Sequence, residues 1–358
     1  MNRSIYKLSW FLALAALVAY IIITVLQLHT AGGWLLMLCF ASLALAFRGS
    51  AALKGFSYTV MIFAAVSLAM YYPQHFIQVG GFKLSKLIVP LLQIIMFGMG
   101  TGLKWADFEQ VVKMPRSIGL GIVAQYTIMP LIALCITWMF DFPPEIAAGI
   151  ILVGSCPSGL ASNVMSYLAG ANLALSVSIT VMVTLLSPVI TPLWMKMLAG
   201  QFVEVALWQM MWDIIQIVIL PIILGLLFNH FLHGRFKWLD DAMPLLSMAG
   251  IGLIIVVITA SGRDSLLTVG PLLVLATLLH NLSGYCLGYW GARLFRLPER
   301  DCRTIALEVG MQNGGLASGL ALKMGKLATV GLAPAVFGPL MNITGSALAT
   351  WWKGKKIT

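Results

Sequence analysis

Charge is what this chain of 358 residues has least of. Asp, Glu, Lys and Arg together make up 9% of it, where a soluble domain carries about 25%. Hydrophobic residues reach 60% and the mean hydropathy is +0.95. A water-soluble globular domain is thereby excluded, and the composition is that of an all-α polytopic membrane protein. The five cysteines, Cys39, Cys135, Cys156, Cys286 and Cys302, form no CxxC and no Cys/His spacing. That leaves neither a zinc motif nor a disulfide framework, and they read as small apolar packing residues. No HExxH, paired aspartates or nucleophile-base pattern is present, so an intramembrane enzyme has nothing to work with, and no cofactor is expected. The net charge of +10 would raise nucleic acid as a partner in a soluble protein. Here it is the excess of Lys and Arg that membrane proteins keep in loops beside anionic headgroups.

What is present is a series of long apolar runs broken by charged or Pro/Gly punctuation. They predict about twelve helices. An N-terminal pair covers about 9–28 and 32–47, and ten more spans follow at about 56–73, 86–103, 117–139, 146–167, 172–198, 207–230, 242–260, 268–292, 303–325 and 327–350. The first run is too long for the apolar core of a signal peptide, about 7–15 residues, and reads as a retained helix. Alternating the spans across a bilayer puts 16 of the 22 Lys and Arg on one side, Arg235 and Lys356 among them, and 6 on the other. The positive-inside rule then places both termini in the cytoplasm, and the chain is expected in the plasma (inner) membrane.

Two stretches break the apolar pattern and share a tetrapeptide. Gly-Leu-Ala-Ser occurs at 159–162 and again at 315–318. Each copy falls in the fourth span of a group of five. Five is odd, so the second group enters the membrane from the opposite side. The predicted division is an N-terminal pair over 1–50 and two inverted five-helix repeats over 51–200 and 201–358, the architecture of many secondary transporters.

The first stretch carries Pro157, Ser158, Gly159, Ser162 and Asn163. Pro157 removes an amide donor and interrupts a helix. The second carries Glu308, Gln312, Asn313, Gly314 and Gly315. Of twelve acids, ten fall in loops or at span ends and Asp213 lies within reach of one; Glu308 alone sits amid further intramembrane polarity. A charge at that depth costs about 2.5–3.5 kcal/mol on insertion scales and is a functional hypothesis by default. Small-residue helix packing accounts for the glycines and Ser162, but not for Asn163, Glu308, Gln312 and Asn313 together. The adjacent glycines beside Gln-Asn predict a second break there. A carboxylate, amide oxygens and freed carbonyls form a hard-oxygen set suited to a small cation such as Na⁺. Gln125, Ser176, Ser178, Thr180, Asn342 and Thr344 are further polar residues in predicted spans, and lone Ser or Thr there usually bonds its own helix. His280-Asn281 is either an interhelical hydrogen-bond contact or a proton relay.

These segments carry a resemblance. "CPSGLASNVMSYLAGANLALSVSITVMVTLLSPVITP" (156–192), "TIALEVGMQNGGLASGLA" (304–321), "LHNLSGYCLGY" (279–289) and "GPLMNITGS" (338–346) resemble the bile acid:sodium symporter family from about residue 56 onward. The resemblance implies a ten-helix core, in a panel and a core domain, with two broken helices crossing near the midplane and two coupling Na⁺ behind the crossing. One ion site would use Ser162, Asn163, Ser176, Thr180 and Glu308. The other would use Gln125, Gln312, Glu308 and the carbonyls of Val309 and Met311. An organic-anion substrate would lie on the opposite face, near Asn313 and Asn342. Bacterial family members that bind bile acids tend to have Gly-Gly-Thr where this chain has Ser158-Gly159-Leu160, and His-Asn where it has Met341-Asn342. Both departures are assigned to the substrate face, so the resemblance implies a small carboxylate such as pantoate, ketopantoate or an oxoacid ahead of a bile acid.

Overall fold

A computed structural model describes residues 3–26, 32–50, 53–232 and 237–355. Arg235 and Lys356, counted in the charge asymmetry, lie outside them. The chain is an all-α bundle. In order, α1 (Arg3–Val25), α2 (Gly32–Phe47), α3 (Ser57–Tyr71), α4 (Gln74–Ile77), α5 (Ile88–Thr101), α6 (Trp105–Lys113), α7 (Pro115–Phe140), α8 (Pro144–Ser155) and α9 (Ala161–Leu168) lead to α10 (Leu173–Trp194). Then follow α11 (Leu207–Ile214), α12 (Leu220–Leu232), α13 (Lys237–Ser261), α14 (Arg263–Leu294), α15 (Glu299–Gly310), α16 (Gly314–Lys323) and α17 (Leu332–Lys353). Short strands β1 (Gln78–Val79) and β2 (Phe82–Lys83) pair as a hairpin between α4 and α5. Among the described residues, eight helices are long and apolar enough to cross a membrane, and Gly32–Phe47, Pro144–Ser155 and Leu245–Ser261 are shorter apolar ones.

Local sequence accounts for the punctuation. Pro115 and Pro144 sit in the first turns of α7 and α8, where a missing N–H costs nothing. Asp141 ends α7 in the left-handed conformation at φ 43°. Asn172 caps α10, its side chain accepting from the Leu175 amide at 3.2 Å. π-helical turns continue α10 over Met195–Ala199 and join α11 to α12 over Ile215–Ile219. The predicted span at 207–230 is therefore two helices fused through a bulge. Nothing in the apolar pattern marked α6, an amphipathic helix, or the hairpin; both fell in predicted loops.

Packing sorts the helices. α1 lies on α2 and α2 on α3; α3 packs on α13, α13 on α5 and α5 on α12, while α7, α8, α10, α14, α15 and α17 form the other cluster. Close approach rests on small residues, as in membrane bundles generally. A Cβ at Gly100 would meet the Ile222 carbonyl oxygen at 2.2 Å, and one at Gly225 the Phe97 carbonyl oxygen at 2.2 Å, so α5 and α12 touch backbone to backbone. In each of the two groups, α3 to α10 and α11 to α17, the interrupted helix comes just before the last. These interruptions, α8/α9 and α15/α16, meet each other.

Candidate functional site: two interrupted helices around a buried carboxylate

α8 stops because Pro157 follows: the residue before a proline is driven from helical dihedrals, and Cys156 is extended at φ −76°, ψ 158°. α15 stops at Gly310, with Met311 extended at φ −108°, ψ 103°. The two extended segments cross and pair. Ser158 and Gln312 form an antiparallel bridge, with the Gly159 amide donating to the Met311 carbonyl at 3.0 Å and the Asn313 amide to the Pro157 carbonyl at 2.9 Å. A Cβ at Gly159 would lie 2.9 Å from the Gln312 carbonyl oxygen, so glycine is needed for the crossing. The break differs from the sequence expectation in one respect: Gly314 and Gly315 are the first turn of α16, not unwound backbone. Their lack of side chains serves close packing, since a Cβ at Gly315 would meet Leu92 at 3.0 Å.

A helix interrupted in lipid leaves carbonyls without partners, and each must be satisfied within the protein. Here α7, α10 and α14 supply three of the partners and Gln312, in the break itself, the fourth. Thr191 donates to the Ser155 carbonyl at 2.8 Å and Gln125 to the Cys156 carbonyl at 2.9 Å. Gln312 donates to the Val309 carbonyl at 2.6 Å and Asn281 to the Gly310 carbonyl at 2.8 Å. Gln125 also donates to Gln312 Oε1 at 2.8 Å. Gln125, Gln312 and the Val309 carbonyl are thus joined by hydrogen bonds beside the crossing, while the Met311 carbonyl is taken by the Gly159 amide in the bridge.

Glu308 is fully buried beside them. Its Oε2 accepts from Ser158 Oγ at 2.6 Å and Thr180 Oγ1 at 2.8 Å, and its Oε1 from Ser176 Oγ at 2.5 Å. Asn163 Oδ1 stands 2.8 Å from Ser176 Oγ and 3.2 Å from Thr180 Oγ1. Ser176 and Thr180 have one proton each, and each faces both Glu308 and Asn163, so these contacts hold more oxygen lone pairs than protons. Among the described residues Glu308 takes part in no ion pair. A buried carboxylate needs a counter-charge or a proton. The oxygen-rich set fits a desolvated alkali cation, and α8 and α15 aim the negative ends of their dipoles at it.

The remaining expected residues separate by position. Ser162 is buried, its hydroxyl donating to the Gly159 carbonyl at 2.7 Å. Ser158 needs correcting: grouped above with the substrate face, it points the other way, onto Glu308. Side chains alternate along an extended segment, and the register of the crossing turns Ser158 toward the carboxylate. Asn313 caps α16, accepting from the Leu316 amide at 3.0 Å. Leu160 is partly exposed, Asn342 is half-buried and bonds its own helix at Gly338, and Met341 is buried. Ser158 is 150 residues from Glu308 in sequence, and Asn281 entered only as a paired polar residue. Within His280-Asn281, His280 Nε2 lies 3.0 Å from the Met129 carbonyl oxygen and Asn281 reaches Gly310, both contacts between helices.

The sequence model of the Sodium Bile acid symporter family matches residues 89–269. The chain is similar to the uncharacterized sodium-dependent transporter YocS of Bacillus subtilis (strain 168), 42% identical over 273 residues, covering 76% of this chain and 84% of that one. It is 34% identical over 262 residues to the probable sodium/metabolite cotransporter BASS1, chloroplastic, of Arabidopsis thaliana, covering 73% of this chain and 65% of that one. It is also 32% identical over 244 residues to the human ileal sodium/bile acid cotransporter, covering 66% and 68% respectively.

Proposed function

Because this chain belongs to the Sodium Bile acid symporter family, we propose that it is a secondary active transporter coupling Na⁺ entry to the uptake of a small organic anion. The observation that carries the reading is Glu308: a fully buried carboxylate with no cationic side-chain partner among the described residues, ringed by the hydroxyls of Ser158, Ser176 and Thr180. One Na⁺ would lie among Glu308, Asn163, Ser162, Ser176, Thr180 and Ser158. A second would lie among Glu308, Gln125, Gln312 and the carbonyls of Val309 and Met311.

The substrate would meet the other face of the crossing. There α9 and α16 begin, and helix N-termini favour anions. α16 spends the Leu316 amide on Asn313, whereas α9 has no side-chain cap. Leu160 and Met341 make this face apolar, which favours a small carboxylate over a ligand whose hydroxyls need partners. We read the two five-helix groups as inverted repeats. Bound Na⁺ stabilises the crossing, and the α7–α10 and α14–α17 cluster moves against the α3, α5, α12 and α13 panel to alternate access. Both termini would be cytoplasmic in the plasma membrane.

Counterflow in proteoliposomes tests this, with Na⁺ and pH gradients imposed separately and pantoate, ketopantoate, pyruvate and taurocholate as substrates. A small carboxylate should accumulate only with an inward Na⁺ gradient, with a Hill coefficient above one if both ions couple. Equal uptake in choline and sodium buffers at fixed pH refutes sodium coupling. Tight sodium-dependent taurocholate binding refutes the substrate class.

A further inference from the structure

Asn281 lies on α14, outside every segment that forms the crossing, yet it is fully buried and its Nδ2 donates to the carbonyl of Gly310 at 2.8 Å. That carbonyl stands between those of Val309, which accepts from Gln312, and Met311, which accepts from the Gly159 amide across the bridge. What holds Asn281 comes from a third helix. Thr344 on α17 donates to Asn281 Oδ1 at 2.5 Å. The same hydroxyl is farther from its own-helix carbonyls, 3.0 Å from Leu340 and 3.2 Å from Met341, so its single proton goes to Asn281. An amide held by a donor at its oxygen must present its N–H₂ to the next group, here the Gly310 carbonyl. The three helices are packed tightly at this point: a Cβ at Gly310 would meet the Tyr285 ring at 2.2 Å, one at Gly284 would meet Gly310 Cα at 2.9 Å, and one at Gly345 would meet Met311 Sδ at 3.0 Å.

We propose that Asn281 and Thr344 are positioning residues for cation binding: Thr344 orients the Asn281 amide, and Asn281 fixes the Gly310 carbonyl so that the backbone on either side keeps Val309 against Gln312 and Met311 in the bridge. Thr344 lies two residues along α17 from Asn342, so the helix that borders the substrate face also holds one end of this chain of hydrogen bonds. Displacement of α17 on substrate binding therefore reaches the cation ligands through two hydrogen bonds. The inference rests on the sodium reading of the site.

The test uses the purified full-length protein in detergent. Its thermal unfolding is followed by tryptophan fluorescence while NaCl replaces KCl at constant ionic strength. The wild type should be stabilised by Na⁺ over K⁺ with a measurable midpoint. Thr344→Val keeps the volume and removes the donor; its Na⁺ midpoint should rise by about tenfold or more, the usual effect of losing a residue that orients an ion ligand. Asn281→Ala should do the same, and Thr344→Ser, which restores the hydroxyl, should return the midpoint to within about twofold of wild type. If Thr344→Val lowers stability equally in KCl and NaCl and leaves the Na⁺ midpoint unchanged, the pair is merely structural and the inference is overturned. If the wild type shows no Na⁺-specific stabilisation, the sodium reading fails and the inference with it. Should Asn281→Ala not fold, the two Thr344 variants decide.

Discussion

The two interrupted helices are built alike at the crossing and unlike beyond it. α9 shows an open face, with Val164 57% and Tyr167 70% exposed. α16 has Leu316, Ala317, Ser318, Gly319, Leu320 and Ala321 all buried. Glycine makes that cover possible: a Cβ at Gly319 would meet Leu92 of α5 at 2.5 Å. At its far end Lys323 pairs with Asp213 of α11 at 3.3 Å, beside a cavity of about 310 Å³. Lys326 pairs with Glu145 at the start of α8. The halves of the crossing also divide the chemistry. The second contributes the carboxylate and the long amide; the first contributes Ser158 and Asn163, backed by Ser176 and Thr180 from α10. The buried carboxylate of one half is therefore satisfied by hydroxyls of the other. The burial difference means that one side of the crossing is sealed against the panel and the other is not.

The largest expected effect comes from removing the charge. Glu308→Gln keeps the volume and one carbonyl oxygen. If Glu308 is an ion ligand, the variant inserts normally and loses both Na⁺-dependent stabilisation and sodium-driven uptake. If it carries a proton instead, net uptake fails while sodium-independent substrate exchange survives. Near-wild-type uptake would end the ion-site assignment and leave the contrast between the halves without a chemical basis.

Next comes the seal. Asp213 is 4% and Lys323 36% exposed, so removing the lysine strands a buried carboxylate. Breaking such a pair costs about 3–5 kcal/mol when both partners are buried, and about 2 kcal/mol is expected here because water screens Lys323. Lys323→Met should therefore lower the melting temperature, and Asp213→Asn added to it should recover most of the loss. Equal, additive losses in the two single variants would show that the pair does not hold α16 down.

A smaller change should follow at Ser158. Ser158→Ala removes one of the three hydroxyls on Glu308 while leaving the bridge to Gln312, which is made by backbone. The Na⁺ midpoint should rise by about twofold to tenfold, the net worth of one ordinary hydrogen bond, about 0.5–1.5 kcal/mol. No change in the midpoint, or a change only in substrate affinity, would return Ser158 to the substrate face.

Ser158 also shows where sequence reasoning stops. The apolar runs, the break at Pro157 and the singularity of Glu308 are all legible, because each follows from local rules: hydropathy, proline sterics and the cost of a charge in lipid. Which face Ser158 takes is not local. It depends on the antiparallel register with Gln312, 154 positions away, and a one-residue shift would reverse it. Gly314-Gly315 reads as a breaker for the same reason: glycine lowers helix propensity in isolation, and only the approach of Leu92 shows that it permits packing instead. Asn281 is visible as a buried polar residue, but its partner is a backbone carbonyl that any residue type could offer. Asp213 and Lys323 come from helices 110 residues apart, with no pattern to join them.

The finest contrast between the halves is at the first turns of α9 and α16. Asn313 stands at φ −79°, ψ 76°, outside helical dihedrals, and its side chain accepts from the Leu316 amide at 3.0 Å. Leu160 stands at φ −53°, ψ −26°, already helical, with no side-chain cap. Asn313→Ala should therefore cost about 1 kcal/mol of stability, the usual worth of an N-cap, measured in KCl without substrate so that any role in anion binding is kept apart. The reciprocal change, Leu160→Asn, should not stabilise α9. A capping side chain reaches the amides two and three residues on from an extended backbone, and position 160 is held helical by the Gly159 amide bond to Met311 and the Ser162 amide bond to Gly159. A gain of 1 kcal/mol or more in that variant would show that α9 lacks a cap only because its sequence lacks the residue. No gain would place the difference in the backbone of the crossing, which spends the Ser162 amide of α9 on the Gly159 carbonyl, while α16 spends its Leu316 amide on the Asn313 side chain.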